Sequence, residues 1–154
     1  MRKLMLIVMM MMLASSACAL ELPDSLGEWH YVNEHVVSLI PDATSEDLGR
    51  MVYRDYERES PRGRVQVIMT EGTGTGSLYV PERVRTSGGV MASDSEYRII
   101  DIDGRKAILE RHDDIPISLA VNAGDDTVLT IESSVLDEEG ITEFARSILQ
   151  TSSN

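Results

Sequence analysis

Residues 95–111 read SEYRIIDIDGRKAILER, and this stretch decides the fold. Asp103-Gly104 lies between two β-rich limbs and is among the pairs best suited to a type I′ turn, where both central residues need positive φ. A two-residue loop permits one register. Ile102 then opposes Arg105, and the pairs run outward as Asp101–Lys106, Ile100–Ala107, Ile99–Ile108, Arg98–Leu109, Tyr97–Glu110 and Glu96–Arg111. Two of these pairs match opposite charges and two match apolar residues. Such pairs contribute about 0.2–1 kcal/mol each. Both faces carry apolar residues, which predicts a central hairpin with cover on both sides.

A second hairpin follows. Ile117, Leu119 and Val121 alternate with Ser118, Ala120 and Asn122; Leu129 and Ile131 alternate with Val128, Thr130 and Glu132. Placing Leu119 and Leu129 on one face excludes a plain two-residue loop, because a one-residue slip moves every side chain to the other face. The expectation is a three-residue or bulged turn at Gly124–Asp126. Asp137 then caps a helix whose first turn carries Glu138 and Glu139. Ile141, Phe144, Ala145, Ile148 and Leu149 form one apolar stripe, and Arg146 lies toward the C-terminal end.

Upstream, GRMVYRDYERE and RVQVIMTE flank Ser60-Pro61-Arg62-Gly63, which predicts a hairpin near 50–59 and 64–71. A helix from Thr44, closed by Asp47 in a capping box, is the rival reading. Gly49 and the β-branched and aromatic residues favour the strand. Residues 28–40 suit a strand or a helix, and both stay open. Residues 20–27 read as an irregular lead-in. The expected fold is a single α+β domain over residues 20–154, one antiparallel sheet of about five to seven strands with the C-terminal helix packed on one face.

Residues 1–19 read as a signal peptide. Arg2 and Lys3 precede the apolar run Leu4–Leu13, and Ala17-Cys18-Ala19 fits an A-x-A cleavage site. Lipidation of Cys18 is a second reading, with Ser15 standing where such motifs usually carry a larger apolar residue. A retained anchor is a third, and Leu4–Leu20 is at the short end of a spanning length. The expected location is periplasmic or extracellular, with Cys18 tethering as the alternative.

Net charge is −12, and loss of Arg2 and Lys3 takes it to −14. That repels nucleic acid and anionic membrane surfaces. Contact with a membrane is therefore expected only through the leader or a lipidated Cys18. Cys18 is the only cysteine, so a chain cut after Ala19 has no disulfide, thiol nucleophile or cysteine-bound metal.

Chemical motifs are sparse. The GTGTGS run at 72–77 lacks the Lys-Ser/Thr of a phosphate loop and the spacing of a dinucleotide site. Asp101-Ile102-Asp103-Gly104 lacks the later ligands of a calcium loop. His112 with Asp113 and Asp114 could bind metal, whereas His30 and His35 have a spacing that suits neither element. Asp113, Asp114, Asp125 and Asp126 would form an acidic cation patch if their turns shared one edge of the sheet. No G-x-S-x-G elbow is present. No catalytic residue, cofactor or metal is assigned.

Residues 96–149, two hairpins followed by a helix ending ITEFARSIL, resemble the C-terminal part of small exported sheet-plus-helix domains, PsbP-like proteins and extracytoplasmic bacterial domains among them. The resemblance implies a helix packed on an antiparallel sheet and an accessory, binding or assembly role. It transfers no site residue. The expected function is that of a non-enzymatic accessory or interaction protein whose partner is another envelope or extracellular protein. The alternatives are a small-ligand or divalent-cation binding module and, less favoured, a hydrolase.

Overall fold

The computed structural model describes residues 20–39, 49–73, 78, 96–112 and 115–151. Its strands are β1 (Ser25–Leu26), β2 (Trp29–Ser38), β3 (Arg50–Glu59), β4 (Arg62–Glu71), β5 (Glu96–Ile102), β6 (Arg105–Arg111), β7 (Ile117–Gly124) and β8 (Thr127–Ser133). One helix, α1 (Glu138–Thr151), follows. All eight strands form one antiparallel sheet in the order β1-β2-β3-β4-β8-β7-β6-β5. Two four-strand meanders thus meet where β4 pairs with β8.

The α+β architecture and the C-terminal helix are as expected, but the sheet has eight strands and exceeds the expected five to seven. The additional strand is β1. Two residues are too few to show a period of two, so the lead-in hides it. Residues 29–38, open between helix and strand, form β2, and 50–59 form β3 as preferred. Asp47 and the capping box of the rival helix lie outside the described residues.

All seven pairs expected between β5 and β6 are present. Asp103 and Gly104 have φ of 53° and 81°, as a type I′ turn requires. The hairpin's position corrects the expectation of cover on both sides. β5 is the edge of the sheet, and Ile99 is 58% exposed. Apolar residues on both faces of a strand do not alone distinguish a central strand from an edge. The irregularity expected at Gly124–Asp126 lies one step earlier: the loop is the two residues Asp125-Asp126, and the register shifts between Asn122 and Gly124 within β7. That shift puts Leu119 opposite Ile131 and Val121 opposite Leu129, all four fully buried.

Asp137 caps α1. Its side chain accepts from the Gly140 N–H at 2.9 Å, and its carbonyl accepts from the Ile141 N–H at 2.9 Å. Ile141, Phe144, Ala145, Ile148 and Leu149 are all buried. They pack on the sheet face formed by Val52, Tyr56, Val65, Val67, Met69, Ala107, Leu109, Leu119, Val121, Leu129 and Ile131. The buried Ser133 sets how the helix leaves the sheet, because its Oγ accepts from the N–H groups of Val135 (3.2 Å) and Leu136 (3.1 Å).

The lead-in contributes more than its sequence suggests. Leu20, Leu22 and Leu26 are buried in the core beside Trp29. The Tyr56 hydroxyl donates to the Pro23 carbonyl at 2.7 Å, and the Arg54 guanidinium donates to the Leu22 carbonyl and, at 2.9 Å, to Glu34. Burial pushes the Tyr56 phenol above its ordinary pKa.

Candidate functional site

An open cleft of about 950 Å³ lies where the N-terminal turn of α1 meets β5, β6 and β7. Its apolar lining is Ile100, Ile115, Ile117 and Leu136. Its polar lining is Asp137, which caps α1, then Glu138, Glu139 and Glu143 of α1, together with Arg111 and His112. The helix places these acids by periodicity: Glu139 and Glu143 are four apart and share a side. Glu138 accepts from Arg98 of β5, which ties the helix start to the sheet edge.

Among the described residues, no helix or strand lies against the face opposite α1. Register aligns two transverse rows on it. The first runs Tyr97, Glu110, Ser118, Glu132, Gln66, Asp55, Asn33. The second runs Ile99, Ile108, Ala120, Thr130, Ile68, Tyr53, His35. The polar row is internally bonded. Tyr97 donates to Glu110 at 2.8 Å, and Asp55 accepts from Arg64 (2.6 Å), Gln66 (3.3 Å) and Asn33 (3.4 Å).

Asp55 is only 6% exposed. Burial opposes its charge, but the hydrogen bonds from Arg64, Gln66 and Asn33 outweigh burial and hold its carboxyl below the ordinary value. The unfolded chain then binds a proton more readily than the folded one. Stability from Asp55 is present above the ordinary carboxyl pKa of about 3.9 and is lost as pH falls through the lower folded value. Asp55→Asn is expected to cost about 1–3 kcal/mol at neutral pH. It should also flatten the loss of stability below about pH 4, checked by urea unfolding across an acid pH series. Equal acid sensitivity in both proteins would remove Asp55 as the source.

The three histidines are not brought together. His30 and His35 lie on β2, and His112 follows β6, with four strands between them. At about 4.8 Å per strand this is roughly 24 Å. The β6–β7 connection and the β7–β8 turn leave opposite ends of β7, so Asp125 and Asp126 are a strand length from His112 and Ile115. Asp113 and Asp114, within the first connection, lie outside the described residues, as do Cys18 and residues 74–77 of the glycine run. Gly72, at the start of that run, donates its N–H to the Asp126 carbonyl at 3.0 Å and so prolongs the β4–β8 ladder. Among the described residues no group of three or more His, Cys, Asp or Glu could hold a metal ion.

Sequence reasoning missed the cleft and the Asp55 cluster. Each of the cleft's acids reads singly as a helix-start or surface residue. Asp55, Arg64 and Gln66 meet only once the β3–β4 register is known, and that register follows from a two-residue turn at Ser60-Pro61 in place of the expected four-residue link. Comparison with known protein families, curated proteins and solved structures finds no match for this chain.

Proposed function

We propose that this is an exported, non-enzymatic accessory or interaction protein of the cell envelope or exterior, and that the cleft beside the start of α1 is its binding surface. The cleft carries this reading. It combines apolar with polar lining residues, and its volume falls within the range of about 300–1,000 Å³ usual for ligand sites. Glu139, beside Glu138 and Glu143 that are paired with Arg98 and Arg146, favours a partner that presents an amino or guanidinium group beside an apolar side chain. Export is supported by the composition of residues 1–19. No described helix is long and apolar enough to cross a membrane. The resemblance of residues 96–149 to exported accessory domains agrees with this role.

A photo-crosslinking residue placed at Ile115, which is 50% exposed in the cleft, tests it in envelope fractions of the native host. The expected result is one discrete adduct that weakens when Glu139→Lys and Glu143→Lys reverse charge in the lining. The same crosslinker at Ile99, outside the cleft lining, should give none. Equal or absent labelling at the two positions would defeat the proposal. The shape of the cleft equally admits a small cationic ligand, and an adduct of small mass would identify that case.

A further inference from the structure

β4 and β5 run in the same direction, because the pairings that separate them through β8, β7 and β6 are all antiparallel. Glu71 of β4 pairs with Thr127 at the end of the sheet that carries the β7–β8 turn. Glu96 of β5 pairs with Arg111 at the opposite end. The connection, residues 72–95, lies mostly outside the described residues. It must travel the length of the sheet and also cross from β4 to β5, roughly 19 Å at 4.8 Å per strand. Fully extended it reaches roughly 80 Å, so its length allows passage over either face.

The hand of the sheet distinguishes those faces. Gly72 donates its N–H to the Asp126 carbonyl on the β8 side, and alternation then turns the amide and carbonyl of Met69 toward β3. The Met69 side chain packs on the α1 side. An L-residue in a strand that runs upward, with its side chain toward the viewer, has its amide and carbonyl on the viewer's right. Seen from α1 with β4 running up, β3 is therefore on the right, and β8, β7, β6 and β5 follow to the left. β2 gives the same hand: Leu39 donates its N–H toward β3, and His35, of the same parity, is on the face away from α1. Crossovers between parallel strands of one sheet are right-handed in about 98% of cases. A leftward step is right-handed only if the connection passes behind the sheet, across the face opposite α1.

Ile108 points to cover on that same face. It is 7% exposed, lies outside the core cluster under α1, and has Ile99 and Ala120 beside it in register. A diagonal from Glu71 to Glu96 runs over Ala120 and between Ile108 and Glu110, and stays clear of the exposed Ile99. The chemistry also matches. The connection carries the apolar Tyr79, Val80, Val84 and Met91 with the basic Arg83 and Arg85, and the face carries the acids Glu110 and Glu132.

We infer that residues 79–91 dock diagonally across the sheet face opposite α1, with apolar side chains over Ala120 and Ile108 and with Arg83 and Arg85 toward Glu110 and Glu132. That face is then an internal packing surface of the chain and not a site for a partner. The inference does not depend on the binding role of the cleft.

A photo-crosslinking residue at Thr130 or at Ser118, both beside that diagonal, tests it in the purified full chain. The same residue at Ser147, exposed on α1, reports on the other face. Illumination, proteolysis and mass spectrometry are expected to join Thr130 and Ser118 to a peptide from residues 79–95 of the same molecule, and Ser147 to none. Circular dichroism and melting temperature confirm that each labelled chain folds. A segment joined to Ser147 instead, equal joining at all three positions, or no joining at Thr130 and Ser118 would overturn the inference.

Discussion

Phe144→Ala is expected to lower the free energy of unfolding by about 3–5 kcal/mol. Phe144 is the aromatic centre of the contact between α1 and the sheet. Its ring stands edge-on to Trp29 at 5.7 Å between centroids and to Tyr56 at 5.6 Å. The substitution removes the burial of one ring and two aromatic contacts, each worth about 0.5–1.5 kcal/mol beyond area. It also leaves a cavity between residues from opposite ends of the chain, which cannot easily collapse onto one another. Guanidinium unfolding with an unchanged slope is the check. A loss below about 1 kcal/mol would show that α1 is held by its aliphatic residues and not by this ring. Phe144→Leu should recover a large part of the loss.

Leu20→Ala with Leu22→Ala is expected to cost at least about 4 kcal/mol, because each deletion empties a buried site and such changes run to about 2–5 kcal/mol apiece. Both side chains are 8% exposed. Against a typical domain stability of about 5–15 kcal/mol, the double variant should be partly unfolded near body temperature. Glu28→Ala, on an exposed side chain, should change little and serves as the control. A melting temperature unmoved by the double change would show that the lead-in rests on the core without contributing to it. The same packing bears on Cys18. Only Ala19 separates that cysteine from buried Leu20, and two residues reach about 7 Å. A lipid on Cys18 would therefore hold this acidic domain directly against the bilayer, with no spacer.

Legibility followed the range of the forces. The β5–β6 register was readable because one dipeptide fixed it, and α1 because five apolar residues repeat at the helical period. That the second hairpin needs an irregularity was readable because two leucines demanded one face, although it falls at Ala123 and not within Gly124–Asp126. Three features needed partners distant in sequence. β1 exists because Leu26 and Ser25 meet Trp29 and His30 around a turn whose Gly27 has φ of 61°. The pairing of β4 with β8, which makes one sheet of two meanders, left no local mark in either strand. The cleft draws its lining from β5, β6, β7, the segment after β8 and α1, which meet only in the folded chain.

β8 is the last strand in the chain and sits in the middle of the sheet. Synthesis delivers β1–β4 first, so β4 waits with an open edge bearing Val65, Val67 and Met69 until the whole second meander has been made. Long-range pairing of this kind is slow, and unpaired apolar edges invite aggregation in the interval. The completed sheet therefore has its most vulnerable moment just before its centre is filled. Protection of the nascent first meander should govern how much of the protein survives to fold.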